Sequence, residues 1–265
     1  HSARSLFRQI AEAAWECADP GVQFSSTINR WHTAPNTGPI TASNPCSEYV
    51  HLDNSACNLA SLNLLAFLGS GRGDQFDVEG FCQAIRVVFI AQDILVGNAD
   101  YPTDEIGETS RNFRQLGLGY TNLGAMLMAL GLPYDSKEAR AWAGAVTALM
   151  TGQAYATSAE LAQKVGAFSG YATNSVPMQD VLRRHRQALG TLRDAAPEKI
   201  ITTARELWDS AISGCEKHGV RNSQATVIAP TGTISFMMDC DTTGIEPDLG
   251  LIKFKKLVGG GDLTI

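Results

Sequence analysis

Ala225-Thr226-Val227-Ile228-Ala229 runs directly into Pro230-Thr231-Gly232-Thr233-Ile234-Ser235. The first part is a short apolar, β-branched run and reads as a buried strand. The second part, opened by proline and split by glycine, reads as the loop after that strand. On the N-terminal side the pattern turns helical. Helices are expected at about Met178 to Ala188 and Pro197 to His218, preceded by a loop of small and polar residues from Gly166 to Pro177. Ser136 to about Val165 reads as one long alanine-rich helix, whose small side chains allow close packing on a sheet. Gly117-Leu118-Gly119-Tyr120 leads into a helix from about Thr121 to Leu130, closed by Gly131-Leu132-Pro133. Asp77 to about Asn98 forms another, with Phe81, Ile85, Phe89 and Leu95 on one side. Leu6, Ile10, Ala13 and Ala14 recur at helical spacing until Asp19-Pro20-Gly21 stops them. Residues 22 to 63 carry the densest turn chemistry, including Asn36-Thr37-Gly38-Pro39 and Asn44-Pro45, and read as extended segments and loops. Helices alternating with short buried strands define an α/β architecture.

The composition fits a soluble globular protein, with 44% hydrophobic and 18% charged residues. A net charge of −6 offers no electrostatic grip on long nucleic acid, which needs a basic face. The longest apolar stretches are broken by polar residues, so no membrane span is indicated, and no signal peptide is visible. Six cysteines in 265 residues do not make a secreted disulfide framework; a cytoplasmic enzyme with a few functional thiols fits better. The chain opens at His1 without an initiator Met and stops soon after Gly259-Gly260-Gly261, which reads as an internal piece of a longer polypeptide.

The stretch richest in chemistry is Asn44-Pro45-Cys46-Ser47-Glu48. In an extended segment, residues i, i+2 and i+4 share a face. That would put an amide, a thiol and a carboxylate side by side, with Pro45 restricting the backbone between them. Such a trio can hydrogen-bond, react through sulfur and accept a proton. The competing reading is a loop with a buried cysteine and a solvated glutamate.

Other stretches bear on this choice. Upstream lie Asp19-Pro20-Gly21-Val22-Gln23-Phe24 and Thr27-Ile28-Asn29-Arg30-Trp31-His32. Downstream lies Ala56-Cys57-Asn58-Leu59-Ala60-Ser61-Leu62-Asn63-Leu64. Later come Ala229-Pro230-Thr231-Gly232-Thr233-Ile234-Ser235 and Gly244-Ile245-Glu246-Pro247-Asp248. In this order, over essentially the whole chain, they resemble the catalytic subunit of ribonucleotide reductase. The closest wording is that of the adenosylcobalamin-dependent class II enzymes. Glu48 sets the chain apart from glycyl-radical members, which lack this glutamate. The oxygen-dependent class I large subunit and a non-catalytic nucleotide-binding domain on the same scaffold are the alternatives. Without the resemblance, a thiol-dependent phosphosugar enzyme is the competing reading.

The resemblance implies a partial ten-stranded α/β barrel whose central finger loop carries the radical cysteine. Residues 1–265 would be one part of that catalytic barrel domain, incomplete at both ends and inactive alone. It implies reduction of ribonucleotides to 2′-deoxyribonucleotides by a thiyl radical, with adenosylcobalamin as the radical source. Cys46 would be the radical cysteine, Glu48 would accept the 3′-hydroxyl proton, and Asn44 would hydrogen-bond the substrate hydroxyls. Cys57 matches one member of the redox disulfide pair, its partner lying outside this chain. Pro230, Thr231, Gly232, Thr233, Ile234 and Ser235 would form the substrate phosphate loop. Backbone amides, close approach at Gly232 and the hydroxyls of Thr231, Thr233 and Ser235 would supply the donors. The string is not a P-loop, since no Gly-Lys-Ser follows. The implied partners are a ribonucleoside di- or triphosphate, a thioredoxin-type reductant, deoxynucleotide or ATP effectors on segments outside the chain, and a second copy in a cytoplasmic homodimer.

Three weaker signals complete the reading. Trp31-His32 reads as a structural histidine, and no His/Cys cluster has zinc spacing. Gly117-Leu118-Gly119 lacks the context of a dinucleotide fingerprint. Cys17, Cys82, Cys215 and Cys240 are assigned to packing.

Overall fold

The structure is a computed structural model that describes residues 1–69, 76–192, 196–250, 252–256 and 259–264. Its centre is a small parallel sheet. β1 (Asn58–Asn63) pairs with β2 (Leu116–Thr121), with Leu59 opposite Gly117 and Ser61 opposite Gly119. Residues 224 to 228 run along the other edge of β2. Leu116 N donates to Gln224 O (2.9 Å), Leu118 N to Ala225 O (3.2 Å), and Val227 N to Leu118 O (3.1 Å). The expected strand at Ala225–Ala229 is therefore present as a third parallel segment, held by a bridge between Leu118 and Thr226.

Parallel neighbours need long crossovers, and helices supply them. Between β1 and β2 come α3 (Val78–Asn98) and α4 (Asp104–Phe113), after α1 (Ala3–Cys17) and α2 (Ser25–Arg30) near the N-terminus. Between β2 and residue 224 come α5 (Leu123–Ala129), α6 (Lys137–Val165), α7 (Tyr171–Ala188) and α8 (Glu198–His218). After the third segment follow α9 (Gly232–Met237) and a short antiparallel pair, β3 (Phe254–Lys256) and β4 (Asp262–Thr264).

All the long helices of the core lie on one side of the sheet. Leu116, Leu118 and Tyr120 of β2 project into a buried cluster with Phe81, Ile85 and Phe89 of α3 and Leu149 and Met150 of α6. Each such fully buried side chain contributes about 1.5–3 kcal/mol. The Tyr120 hydroxyl meets Thr147 of α6 at 2.9 Å. Side-chain caps fix the helix starts: Asp77 accepts from Gly80 N (2.9 Å) and Ser136 from Ala139 N (3.0 Å). By length and composition α3 could cross a membrane. In this fold it is a core helix, and its Asp93 is buried in an ion pair with Arg114 (2.8 Å). Asn222 joins that pair, donating to Asp93 Oδ1 (2.8 Å) and Arg114 O (3.0 Å). This knot ties α3 to the starts of β2 and the third segment.

Several expectations change. α2 interrupts residues 22 to 63, and β1 closes them. Gly117 to Thr121 is a strand and not a lead-in, so α5 starts only at Leu123. The loop expected from Gly166 to Pro177 ends early, because α7 begins at Tyr171 and takes Pro177 inside it. Proline removes a donor and frees the carbonyl four residues earlier. That carbonyl, Thr173 O, instead accepts from Asn36 Nδ2 at 2.8 Å. The described residues hold part of a parallel α/β sheet and do not show the expected ten-stranded barrel.

Candidate active site

The sheet face away from the helices is cleared by glycine. A Cβ at Gly117 would lie 2.5 Å from Cys57 Sγ, 2.6 Å from Leu59 Cδ2 and 3.0 Å from Val227 Cγ2. A Cβ at Gly119 would lie 2.5 Å from Val227 O. The two glycines of Gly117-Leu118-Gly119 are thus explained by close packing on this face.

Cys57 stands at the foot of β1 on that face, against Tyr49, Val227 and Ala229. Burial first, and then the Glu48 charge, push its thiol up to about 12. The same burial raises the Tyr49 phenol, with Cys57 again a minor contributor. Glu48 and Cys57 therefore share one electrostatic environment. Glu48 Oε2 is enclosed and has no hydrogen-bond partner among the described residues.

Cys46 arrives on a turn, and this corrects the extended geometry expected for 44–48. Ser47 N donates to Asn44 O (3.0 Å) across Pro45 and Cys46, and Ser47 takes φ 65°. Proline in the second position suits such a turn. Asn44 fastens it: Asn44 N donates to Tyr49 O (3.1 Å), and Asn44 Oδ1 accepts from Tyr49 N (3.0 Å). Cys46 is exposed on this turn, and both Cys46 and Cys57 are free thiols. Cavities of about 710 and about 570 Å³ lie against α7, and neither is lined by Cys46, Glu48 or Cys57. Neither of these cavities gathers the expected trio; Glu48 is near enough to Cys57 to help raise its thiol, and Cys46 is exposed.

The Pro230–Ser235 segment is not all loop, because α9 starts at Gly232. Its hydroxyls divide. Thr231 Oγ1 lies 2.8 Å from Thr121 Oγ1 and 2.9 Å from Ser235 Oγ, and Ser235 Oγ lies 2.8 Å from Thr121 Oγ1. Gly244 N donates to Thr231 Oγ1 at 2.7 Å. Thr231 and Ser235 are buried in this triad, so their side chains do not face outward as phosphate donors. Gly232, Thr233 and Ile234 do face outward. Their N–H groups fall in the first helical turn, where no intrahelical acceptor exists. The left-handed residue is Thr231 (φ 55°) and not Gly232, around which a Cβ would meet only open space.

The sequence reading missed Tyr49, Thr121 and Asn122. Asn122 is buried with φ 68°, a conformation asparagine tolerates. It donates to Asn63 Oδ1 (3.0 Å) and accepts from Thr242 N (2.9 Å), locking the ends of β1 and β2 to the segment after α9. Its position after a strand was the available signal. His32 contacts Gly38 O (3.0 Å), and His51 lies between Gln115 and Ser223 (3.0 Å each). Burial, helped by the His32 charge, lowers His51 to about 3, so it stays neutral. Cys215 and Cys240 are buried and Cys82 is half-buried, but Cys17 is exposed, its thiol donating to Ala13 O at 3.3 Å.

One face of this parallel sheet packs on helices, and the other is cleared by glycine beside the half-buried Cys57 thiol. The chain matches the family described as ribonucleotide reductase, barrel domain, over residues 1–265, and it belongs to that family. It is 57% identical over 263 residues to a vitamin B12-dependent ribonucleotide reductase of Rhodopirellula baltica, covering 99% of this chain and 25% of the relative. A protein of the same name from Streptomyces clavuligerus is 57% identical over 267 residues, covering 99% and 28%. A vitamin B12-dependent ribonucleoside-diphosphate reductase of Mycobacterium tuberculosis is 34% identical over 257 residues, covering 97% and 31%. The chain thus spans about a quarter of the length of the first of these relatives.

Proposed function

We propose that residues 1–265 are one part of the ten-stranded catalytic barrel of a cobalamin-dependent ribonucleotide reductase, with the turn at Cys46 as its central finger. The protein that carries the chain would reduce ribonucleotides to 2′-deoxyribonucleotides for DNA synthesis. The observation that supports this best is Glu48 Oε2, enclosed without a partner beside Cys57. An orphaned buried acceptor costs about 1–3 kcal/mol, and a substrate hydroxyl would satisfy it.

Bound adenosylcobalamin would supply the radical. Neither cavity against α7 is lined by Cys46, and no residue of this chain is assigned to hold that cofactor. On the protein side, Cys46 takes the hydrogen from the 3′ carbon. Glu48 accepts the 3′-hydroxyl proton, and the 2′-hydroxyl leaves as water with a proton given by the reducing thiols. Cys57 and a second cysteine give two electrons as they close to a disulfide, and Cys46 returns the hydrogen. Asn44 Oδ1 is occupied by Tyr49 N, so Asn44 serves the substrate through its Nδ2 donor. Phosphates would rest on the segment Pro230–Ser235, through the N–H groups of Gly232, Thr233 and Ile234 and the Thr233 hydroxyl. Thr231 and Ser235 would support that loop from beneath.

The substrate would be a ribonucleoside di- or triphosphate and the reductant a thioredoxin-type dithiol. Deoxynucleotide or ATP effectors would bind outside this chain, in a cytoplasmic homodimer. The test is deoxynucleotide formation by the full-length protein, with and without adenosylcobalamin, for wild type, Cys46→Ser and Cys57→Ser. Cobalamin-dependent turnover lost in both variants is expected. Turnover without cobalamin would point to the oxygen-dependent class, and turnover by Cys57→Ser with dithiols would remove its redox role.

A further inference from the structure

We propose that Tyr49 is a positioning residue: it holds the Cys46 turn and the Cys57 thiol in fixed relation, acting on Cys57 through Ser55. The proposal rests on the reading of Cys46 and Cys57 as the working thiols.

Tyr49 reaches both ends of that relation. Its backbone N–H and C=O are both bonded to Asn44, at 3.0 and 3.1 Å, two residues before Cys46. Its side chain leaves in the other direction. The ring is buried against Val227, Ala229 and Cys57. Its hydroxyl lies 2.8 Å from Ser55 Oγ, and Ser55 Oγ donates to Leu52 O at 2.6 Å. The Ser55 proton is thus used on Leu52, which makes the Tyr49 hydroxyl the donor to Ser55. Next along the chain, Ala56 N donates to Ser110 Oγ at 3.0 Å. Residues 55 and 56 are therefore anchored on either side immediately before Cys57, and Tyr49 supplies one of the two anchors. A tyrosine has few torsions, so a ring held at both ends transmits position with little play. Small displacements of reacting groups are costly, and about 1 Å can cost about a hundredfold in rate.

The experiment uses the full-length reductase, pre-reduced and given one equivalent of nucleotide without external dithiol. It measures the single-turnover rate, the nucleotide Kd and the unfolding midpoint. The variants are Tyr49→Phe, Ser55→Ala, their double variant and Ser55→Thr, with Cys57→Ser as reference. Loss of a single fixing hydrogen bond is expected to lower the rate about tenfold in Tyr49→Phe and in Ser55→Ala. Kd and midpoint should hold, the double variant should be no slower than the slower single, and Ser55→Thr should keep the wild-type rate. Coupling of this kind marks two groups acting through one link. Wild-type rates in both single variants would overturn the proposal. So would rate losses that multiply in the double variant, or losses matched by weaker nucleotide binding. Cys57→Ser at the wild-type rate would instead overturn the reading of Cys57 itself. An inactive Cys57→Ser with an unchanged Tyr49→Phe would sink the Tyr49 proposal alone.

Discussion

Gly117→Ala is the sharpest probe of the open sheet face, because one methyl group reports on the place of the Cys57 thiol. The added Cβ would sit 2.5 Å from Cys57 Sγ, 2.6 Å from Leu59 Cδ2 and 3.0 Å from Val227 Cγ2. Relaxed carbon contacts lie at about 3.5–4.0 Å, so the sulfur must retreat by about 1 Å or more. Leu59 is 52% exposed and can swing aside. Cys57 cannot move freely, since the Tyr49 ring packs on it and Ser55 and Ala56 are hydrogen-bonded just before it. Overpacking of this kind costs about 1–3 kcal/mol of stability in a closed core, and less where one neighbour is free to turn. A misplaced reacting group loses far more, about a hundredfold in rate per ångström. The expected result is turnover reduced about a hundredfold with nucleotide affinity held within about twofold. The assay is single-turnover reduction by pre-reduced full-length protein, beside equilibrium nucleotide binding. Gly190→Ala is the control, since its Cβ would meet nothing within 4 Å. Wild-type turnover by a folded Gly117→Ala protein would refute the claim that this glycine makes room for a working thiol.

Other outcomes follow from the same geometry. Gly232→Val should weaken nucleotide binding by filling the open space above α9, whereas Ser235→Ala should act mainly on stability, by about 1–3 kcal/mol, through the broken hydroxyl triad; binding titrations and urea unfolding separate the two. Asp93→Ala should destabilise by about 3–5 kcal/mol, because it leaves the buried Arg114 without its carboxylate, and the unfolding midpoint reads it. Stability should fall on acidification: His51 and His185, whose ordinary value is 6.5, are lowered by burial to about 3 and about 4. Below 6.5 the unfolded chain binds protons that the folded one refuses, so stability rises with pH in that window, by at most about 1.4 kcal/mol per pH unit per histidine. The unfolding midpoint followed from about pH 7 to about pH 4.5 should drop, and His51→Gln should flatten the slope.

The sequence was legible where one periodic face met one core. The helices at 78–98 and 198–218 carry that pattern, while the alanine-rich helix at 137–165 and the run at 225–229 were legible from composition. It failed where a tertiary partner overrode a local rule. β2 was hidden because glycine weakens a strand signal, and Gly117 and Gly119 are there to admit Cys57 and Val227. Pro177 looked like a boundary, yet Asn36 satisfies the carbonyl it frees. The residue types at Asn44, Cys46 and Glu48 were readable, but their geometry was not: a left-handed Ser47 and two bonds to Tyr49 make a turn. The inward hydroxyls of Thr231 and Ser235 depend on Thr121, 110 and 114 residues away, which no local pattern records.

The one-sided sheet explains why the chemistry collects where it does. Parallel strands are normally covered by helices on both faces, yet among the described residues the core helices pack on the face of Leu116, Leu118 and Tyr120. The opposite face carries the proposed reductant, Cys57, at the N-terminal end of β1. The proposed phosphate loop follows the C-terminal end of the third segment. A strand of six residues is about 20 Å long, so a thiol towards one end and phosphates at the other leave a gap for the sugar to span. The Tyr49 ring spans part of that gap, touching Cys57 on one side and Val227 and Ala229 on the other, just before Pro230. A nucleotide with its phosphates over Gly232 would therefore extend its ribose toward Ala229 and meet the Tyr49 side of the sheet. Glu48 precedes Tyr49, and the turn bearing Cys46 is fastened to it through Asn44. A finger, and not a strand, can bring a second sulfur to that ribose, and the turn that carries Cys46 is the proposed finger.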